Sequence, residues 1–435
     1  MNCYTRHTWF NAFTMVIMAI AIFSPALGAN GDRSSGSTAT EVVKRSETIP
    51  NSKSDAFEDF TQGRVSANQA QYAKAIDAFN RAESKGLRLY ELFALRGFAY
   101  YQIKQYQHAE EDANRAIALE PSRMLGYELL AGVKYAVGNS DDAIKGLTSA
   151  LTKVEDIEKA KLQKIRGVML LKLGRRHEAI DDLTHALELG HASVALYSSR
   201  GDAYRQLGRY DLALLDYSQA LRIKSDDGQA LRDRGWTYTC VGELDKAVAD
   251  FNQVLAAMPG DVVAHGMRGW ARLESGDVKG SLDDFTYAMK HGTQDPWTFL
   301  GAADAYYLQD NIAKALEVNK QGLALKSADG DYRFEFQRGL FLLVNGEEEE
   351  AVRLYKKAEA AAIKRSDPLT LQEVIADLRE MIRVQPQITG TTDVILNGLE
   401  RSVAQTKVPS EPNPNQCQRL RSRDAGVKGS GLNHR

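Results

Sequence analysis

Three histidines, His177, His185 and His191, fall close together and are the first place to look for metal chemistry. A helical zinc pair needs two ligands four residues apart, so that both imidazoles share one face. Separations of eight and six residues put no two of these rings on a common face, and solvent-exposed or capping roles account for them. Two acidic stretches, Asp226-Asp227-Gly228 and Asp329-Gly330-Asp331, lack the ligand spacing of a calcium loop. The chain contains no Gly-x-Ser-x-Gly turn and no phosphate-binding glycine loop. The run Glu347 to Glu350 opens an expected helix, where negative charge complements the helix dipole. No catalytic residue, metal site or cofactor is therefore expected, and an enzyme is the least supported class. The 55 basic and 57 acidic residues leave a formal charge of -2, with no basic field to attract nucleic acid.

The elements that carry these residues repeat. Val194 to Asp227 reads as two short amphipathic helices broken at Gly208, with Tyr197, Gly201 and Tyr204 on one face of the first and Ala213, Tyr217 and Ala220 on one face of the second. Large residues opposite small ones let two antiparallel helices approach closely. The same unit starts near Ala56, Tyr90, Met124, Ala160, Val194, Gly228, Val262, Pro296 and Tyr332, at a spacing of 34 residues apart from two steps of 36. Its first small position recurs as Gly63, Gly97, Ala131, Gly167, Gly201, Gly235, Gly269, Ala303 and Gly339. The bulky position of the second helix recurs as Phe79, Leu147, Leu183, Tyr217, Phe251, Phe285 and Tyr355, with Ala113 and Asn319 as weak members.

With this period and this large-small-large pattern, and with Pro121 and Pro259 closing second helices, the chain resembles the tetratricopeptide repeat family. The resemblance covers about Ala56 to Arg365. It implies an all-α, right-handed superhelical solenoid of nine helix-turn-helix repeats whose first helices line a concave wall and whose function is protein or peptide binding. One departure is the residue before the first-helix glycine, where the family often has leucine and this chain has Arg96, Arg166, Arg200, Arg234, Arg268 and Arg338. These arginines are expected to lay their stems on a neighbouring helix and keep their charge in water; the other reading is a recognition row.

The resemblance also places the residue after the glycine in the groove. That column holds Phe98, Trp236 and Trp270; Tyr101, Tyr135 and Tyr307 follow one turn later, and Trp297 lies near the start of its own first helix. Aromatic rings in register suit a peptide or another extended ligand, and an envelope polysaccharide would stack on the same rings. The competing reading is that the rings fill contacts between neighbouring first helices. The family's carboxylate clamp is not reproduced, since its places hold Phe60, Arg64 and Leu95 in the first repeats and Ser198, Asp202 and Asp233 in the middle ones. No His-Pro-Asp tripeptide follows residue 365, so a J domain has no support.

The ends complete the plan. Arg6 and His7 precede an apolar run from Ala12 to Phe23 and then Pro25 to Ala29, the layout of a signal peptide cleaved after Gly28, which leads to an exported chain, periplasmic or extracellular. The run is shorter than the roughly 20 residues of a spanning helix, so no integral membrane segment is expected in the mature chain. Absence of an Asn-x-Ser/Thr sequon after residue 28 favours a bacterial envelope. Residues 29–55 read as a disordered leader, 366–406 as capping helices and 407–435 as a disordered basic tail. Cys240 and Cys417 are expected to be unpaired thiols.

Overall fold

The computed structural model describes residues 51–190, 192–325, 331–365, 367–384 and 389–405. The expected signal peptide, nearly all of the leader and the basic tail lie outside them, as do His191, Asp329, Gly330 and Cys417. The described residues form α-helices and no strand.

The chain divides into two compact units, one ending at Ala192 and the other beginning at Ser193. The N-terminal unit has four helix pairs: α1 (Asn51–Asn68) with α2 (Tyr72–Ser84), α3 (Tyr90–Gln102) with α4 (Tyr106–Leu119), α5 (Met124–Ala136) with α6 (Ser140–Ala150), and α7 (Asp156–Lys172) with α8 (Arg176–Glu188). The C-terminal unit has five: α9 (Val194–Gln206) with α10 (Tyr210–Ile223), α11 (Gly228–Val241) with α12 (Leu244–Ala257), α13 (Val262–Glu274) with α14 (Val278–Lys290), α15 (Pro296–Leu308) with α16 (Ile312–Leu323), and α17 (Tyr332–Val344) with α18 (Glu348–Lys364). Two more helices follow, α19 (Pro368–Val384) and α20 (Thr389–Gln405), and α20 packs on α18. Within each unit a second helix packs on the first helix of the next pair, and neighbouring first helices touch. This is the all-α repeat solenoid that the family resemblance implies. Helix α1 starts at Asn51, inside the stretch expected to be leader, because the apolar signature begins only where the buried face does, at Ala56 and Phe60. Cys240, expected to be unpaired, is disulfide-bonded.

Each pair closes on the large-small contact. A Cβ on Gly201 would lie 2.9 Å from the Tyr217 ring, one on Gly235 3.0 Å from Phe251, and one on Gly269 2.8 Å from Phe285. In the second repeat the bulky position is Ala113, and the space over Gly97 is taken by Leu129 of α5, 2.5 Å from the position of a Cβ. The weak member at Asn319 is also resolved. Its buried amide donates to the Phe334 carbonyl at 3.0 Å and to Gln337 Oε1 at 2.8 Å, so a polar bond between repeats stands where five other repeats have a ring.

All nine turns between a first and a second helix pass through a positive φ at the same register position. Six of these positions are glycine, which adopts that conformation without steric cost; Ala70 (φ 56°), Lys104 (φ 61°) and Asp310 (φ 60°) hold it despite a Cβ. Replacing Ala70, Lys104 or Asp310 by glycine is expected to stabilise the chain by roughly 0.5–1 kcal/mol each. The check is a rise in the denaturant midpoint, against a fall for Ala360→Gly in the exposed middle of α18.

Candidate ligand-binding surface

Five of the six arginines in the column are tied into ion pairs inside their own repeat. In five repeats the guanidinium forms a bidentate pair with an aspartate sixteen residues later on the second helix of the same repeat. Arg96 Nε and Nη2 donate to Asp112 at 2.7 and 2.8 Å, Arg166 to Asp182 at 2.7 and 2.6 Å, and Arg200 to Asp216 at 2.8 Å twice. Arg234 donates to Asp250 at 2.8 Å twice, and Arg268 to Asp284 at 2.9 and 2.7 Å. The aspartates are buried. The remaining nitrogen, Nη1, reaches the second helix of the preceding repeat. It donates to Asn80 from Arg96, Thr148 from Arg166, Ser218 from Arg234 and Asn252 from Arg268. One planar cation thus joins three helices, which a lysine could not do. For Arg96, burial works to lower the pKa and the bonds to Asp112 and Glu83 outweigh it, so the side chain stays charged. Sequence reasoning missed the aspartates, although an Asp stands sixteen residues after each of these five arginines. Where the arginine is absent the partner changes too: Gln62 with Ala78, Leu130 with Gly146, Ala302 with Val318.

The middle repeat has a second buried network. Arg205, fully enclosed, donates through Nε to Tyr217 Oη at 3.1 Å and through Nη2 to Asp202 at 2.9 Å, while the Tyr217 hydroxyl donates to Asp202 at 2.7 Å. Arg205 and Asp202 therefore hold that repeat's core together. In the N-terminal unit the buried Glu128 of α5 makes no ion pair among the described residues. Burial raises its pKa to about 7, against the opposing pull of Lys164 and Lys161.

The aromatic candidates divide between the units. In the N-terminal unit Phe98, Tyr101 and Tyr135 are half-buried; Phe98 meets Tyr72 edge-on at 6.1 Å, Tyr101 leans on Tyr106 at 5.8 Å, and Lys172 lies 5.6 Å over Tyr135. In the C-terminal unit Tyr307 stacks on Phe341 at 5.3 Å. Trp236, Trp270 and Trp297 are only 5, 3 and 4% exposed and share one hydrophobic cluster. Trp270 Nε1–H donates to the Trp297 carbonyl at 3.2 Å, and Arg333, held by Asp331, covers the Trp297 ring at 4.1 Å. Indoles this enclosed present no open face on which a sugar could stack.

They do meet at a cavity. Trp236 of α11, Gly266 and Trp270 of α13, and Trp297 and Thr298 of α15 surround a space of about 30 Å³, with Asp295 at its polar side. The loop into α15 shapes that side: Asp295 caps the helix by accepting from Trp297 N at 3.3 Å and Thr298 N at 3.1 Å, and Pro296 fills the first turn. Gly266 is required here, since a Cβ would lie 2.8 Å from Thr298 Oγ1. The volume suits a water or the tip of a small apolar side chain, not a ring. No group of three or more metal-ligating side chains occurs among the described residues.

Two stretches of the chain, residues 90–123 and 194–227, match models described as Tetratricopeptide repeat. They coincide with the helix pairs that begin at α3 and α9. The chain is a tetratricopeptide repeat protein. Over 97 residues it is 33% identical to Small glutamine-rich tetratricopeptide repeat-containing protein 2 of Saccharomyces cerevisiae, a match covering 22% of this chain and 27% of that protein. The chain thus spans about a quarter of that relative's length. Among solved structures, a tetratricopeptide repeat protein from Parabacteroides merdae is 23% identical with a TM-score of 0.42, covering 62% of this chain and 93% of its own. YrrB, described as a repeat protein with an unusual peptide-binding site, is 22% identical with a TM-score of 0.38, covering 44% of this chain and 97% of its own. The fold is that of a protein-interaction scaffold.

Removing one member of a buried ion pair strands the other, so Asp250→Ala is expected to cost about 3 kcal/mol, whereas Arg234→Leu combined with Asp250→Val costs less than the single change. Urea denaturation of both variants checks the order. Glu128 titrates in the opposite sense to a paired acid. Its native pKa of about 7 lies above the ordinary 4.5, so its contribution is complete below pH 4.5 and is lost as pH rises through 7. Glu128→Gln should therefore be worth up to about 3 kcal/mol at pH 8 and close to nothing at pH 4, read from melting temperatures at the two pH values.

Proposed function

We propose that this chain is an exported, non-enzymatic scaffold of the bacterial cell envelope that binds a protein or peptide partner, and that a small apolar side chain of the partner anchors in the cavity between α11, α13 and α15. The cavity carries the reading. It combines three rigid indole walls with a polar edge at Asp295, the mixture of apolar contact and a few placed polar groups that binding sites use. Its volume selects the tip of an aliphatic side chain over a sugar or an aromatic ring. Export is supported by the charged, apolar and small-residue order of residues 6–29. Among the described residues no helix is long and apolar enough to cross a membrane.

A photo-reactive phenylalanine analogue at Val263, on the cavity rim, tests both parts in intact cells. The expected outcome is a discrete crosslinked product from Val263, none from the same probe at exposed Asp283 on α14, and a crosslinked chain whose first residue is Ala29. Equal crosslinking from both positions would remove the cavity from the proposal, and a chain that retains residues 1–28 would remove export.

A further inference from the structure

The arginine column has one member without its counter-ion. Arg338 of α17 occupies the register position of Arg96, Arg166, Arg200, Arg234 and Arg268, yet sixteen residues later stands Leu354 in place of an aspartate. The second-helix position of the preceding repeat that supplies Asn80, Thr148, Ser218 and Asn252 elsewhere is here Lys320, another cation and an exposed one. The carboxylate one turn before Arg338, Glu335, is engaged by Lys357. Among the described residues, Arg338 Nε is buried with no hydrogen-bond partner. In the three repeats that lack the aspartate but not the packing, the arginine is replaced by Gln62, Leu130 or Ala302. The ninth repeat alone keeps the cation and omits the anion.

We propose that Arg338 is a recognition residue for a carboxylate supplied from outside the chain, an acidic side chain of a bound peptide, with Lys320 as its second cation. A guanidinium offers two parallel N–H donors matched to a carboxylate, and a partly buried one without an acceptor gains both a hydrogen bond and a counter-charge when the ligand enters. The site is separate from the tryptophan cavity. It draws on the scaffold reading only in taking the carboxylate to be a partner's, and a small-molecule test does not depend on that partner.

Ligand-observed saturation-transfer NMR on the full chain, with N-acetyl-aspartate amide as probe at fixed ionic strength, measures the site directly. Saturable binding is expected, at least tenfold weaker for the neutral N-acetyl-asparagine amide. Arg338→Gln removes the donor pair and Leu354→Asp supplies the missing internal carboxylate; each should weaken binding of the aspartate probe at least tenfold, and circular dichroism shows whether each variant is folded. Leu354→Asp should also raise the melting temperature, by restoring the pair that five other repeats contain. Inorganic phosphate competing no better than chloride would fit a carboxylate site. The proposal is overturned if the two amides bind alike, if no saturable binding occurs, or if either folded variant binds the aspartate probe as the unmodified chain does.

Discussion

The bidentate arginine–aspartate pair is the contact that fixes the register of five of the nine repeats. A helix hairpin held only by a glycine against a ring can slide, because apolar contact has no direction. Two parallel N–H···O bonds at 2.6–2.9 Å do not allow that, and they fix the first helix against the second at one register. The third nitrogen carries the same constraint to the preceding repeat. Ion pairs as enclosed as these gain little net stability over apolar packing, and the repeats with Leu130 or Ala302 show that the fold accepts apolar packing in their place. What the pairs contribute is a defined spacing between repeats.

That spacing determines what a scaffold can present. In the C-terminal unit three indoles, from α11, α13 and α15, share one small cavity. In the reading proposed above, recognition rests on two points: an apolar tip in the cavity, and a carboxylate at Arg338, whose Nε has no hydrogen-bond partner among the described residues. Neither point involves the clamp residues typical of chaperone-binding relatives, which this chain lacks.

The repeat architecture was legible in the sequence because its causes are local. A helix hairpin needs a small residue where backbones cross, a large one to fill the space beside it and a left-handed residue at the turn, and these demands recur every 34 residues whatever the surface does. Departures were legible only as gaps. Ala113 looked like a weak position, but its space is filled by Leu129 from the next repeat, a contact with no counterpart in the repeat's own pattern.

By itself, then, the sequence determined the helix class, the period and the columns of small and bulky residues, since each follows from steric requirements within a turn or two of helix. Only the tertiary structure decided where the charges and the indoles went. An arginine and an aspartate sixteen residues apart share no helical face, and they meet only because the turn between them reverses the chain. Trp236 and Trp270 stand at positions that a sequence assigns equally to a groove or to a contact. Trp270 is held by Trp297 of the next repeat, to whose carbonyl its Nε1–H donates, a contact that no period of 34 specifies.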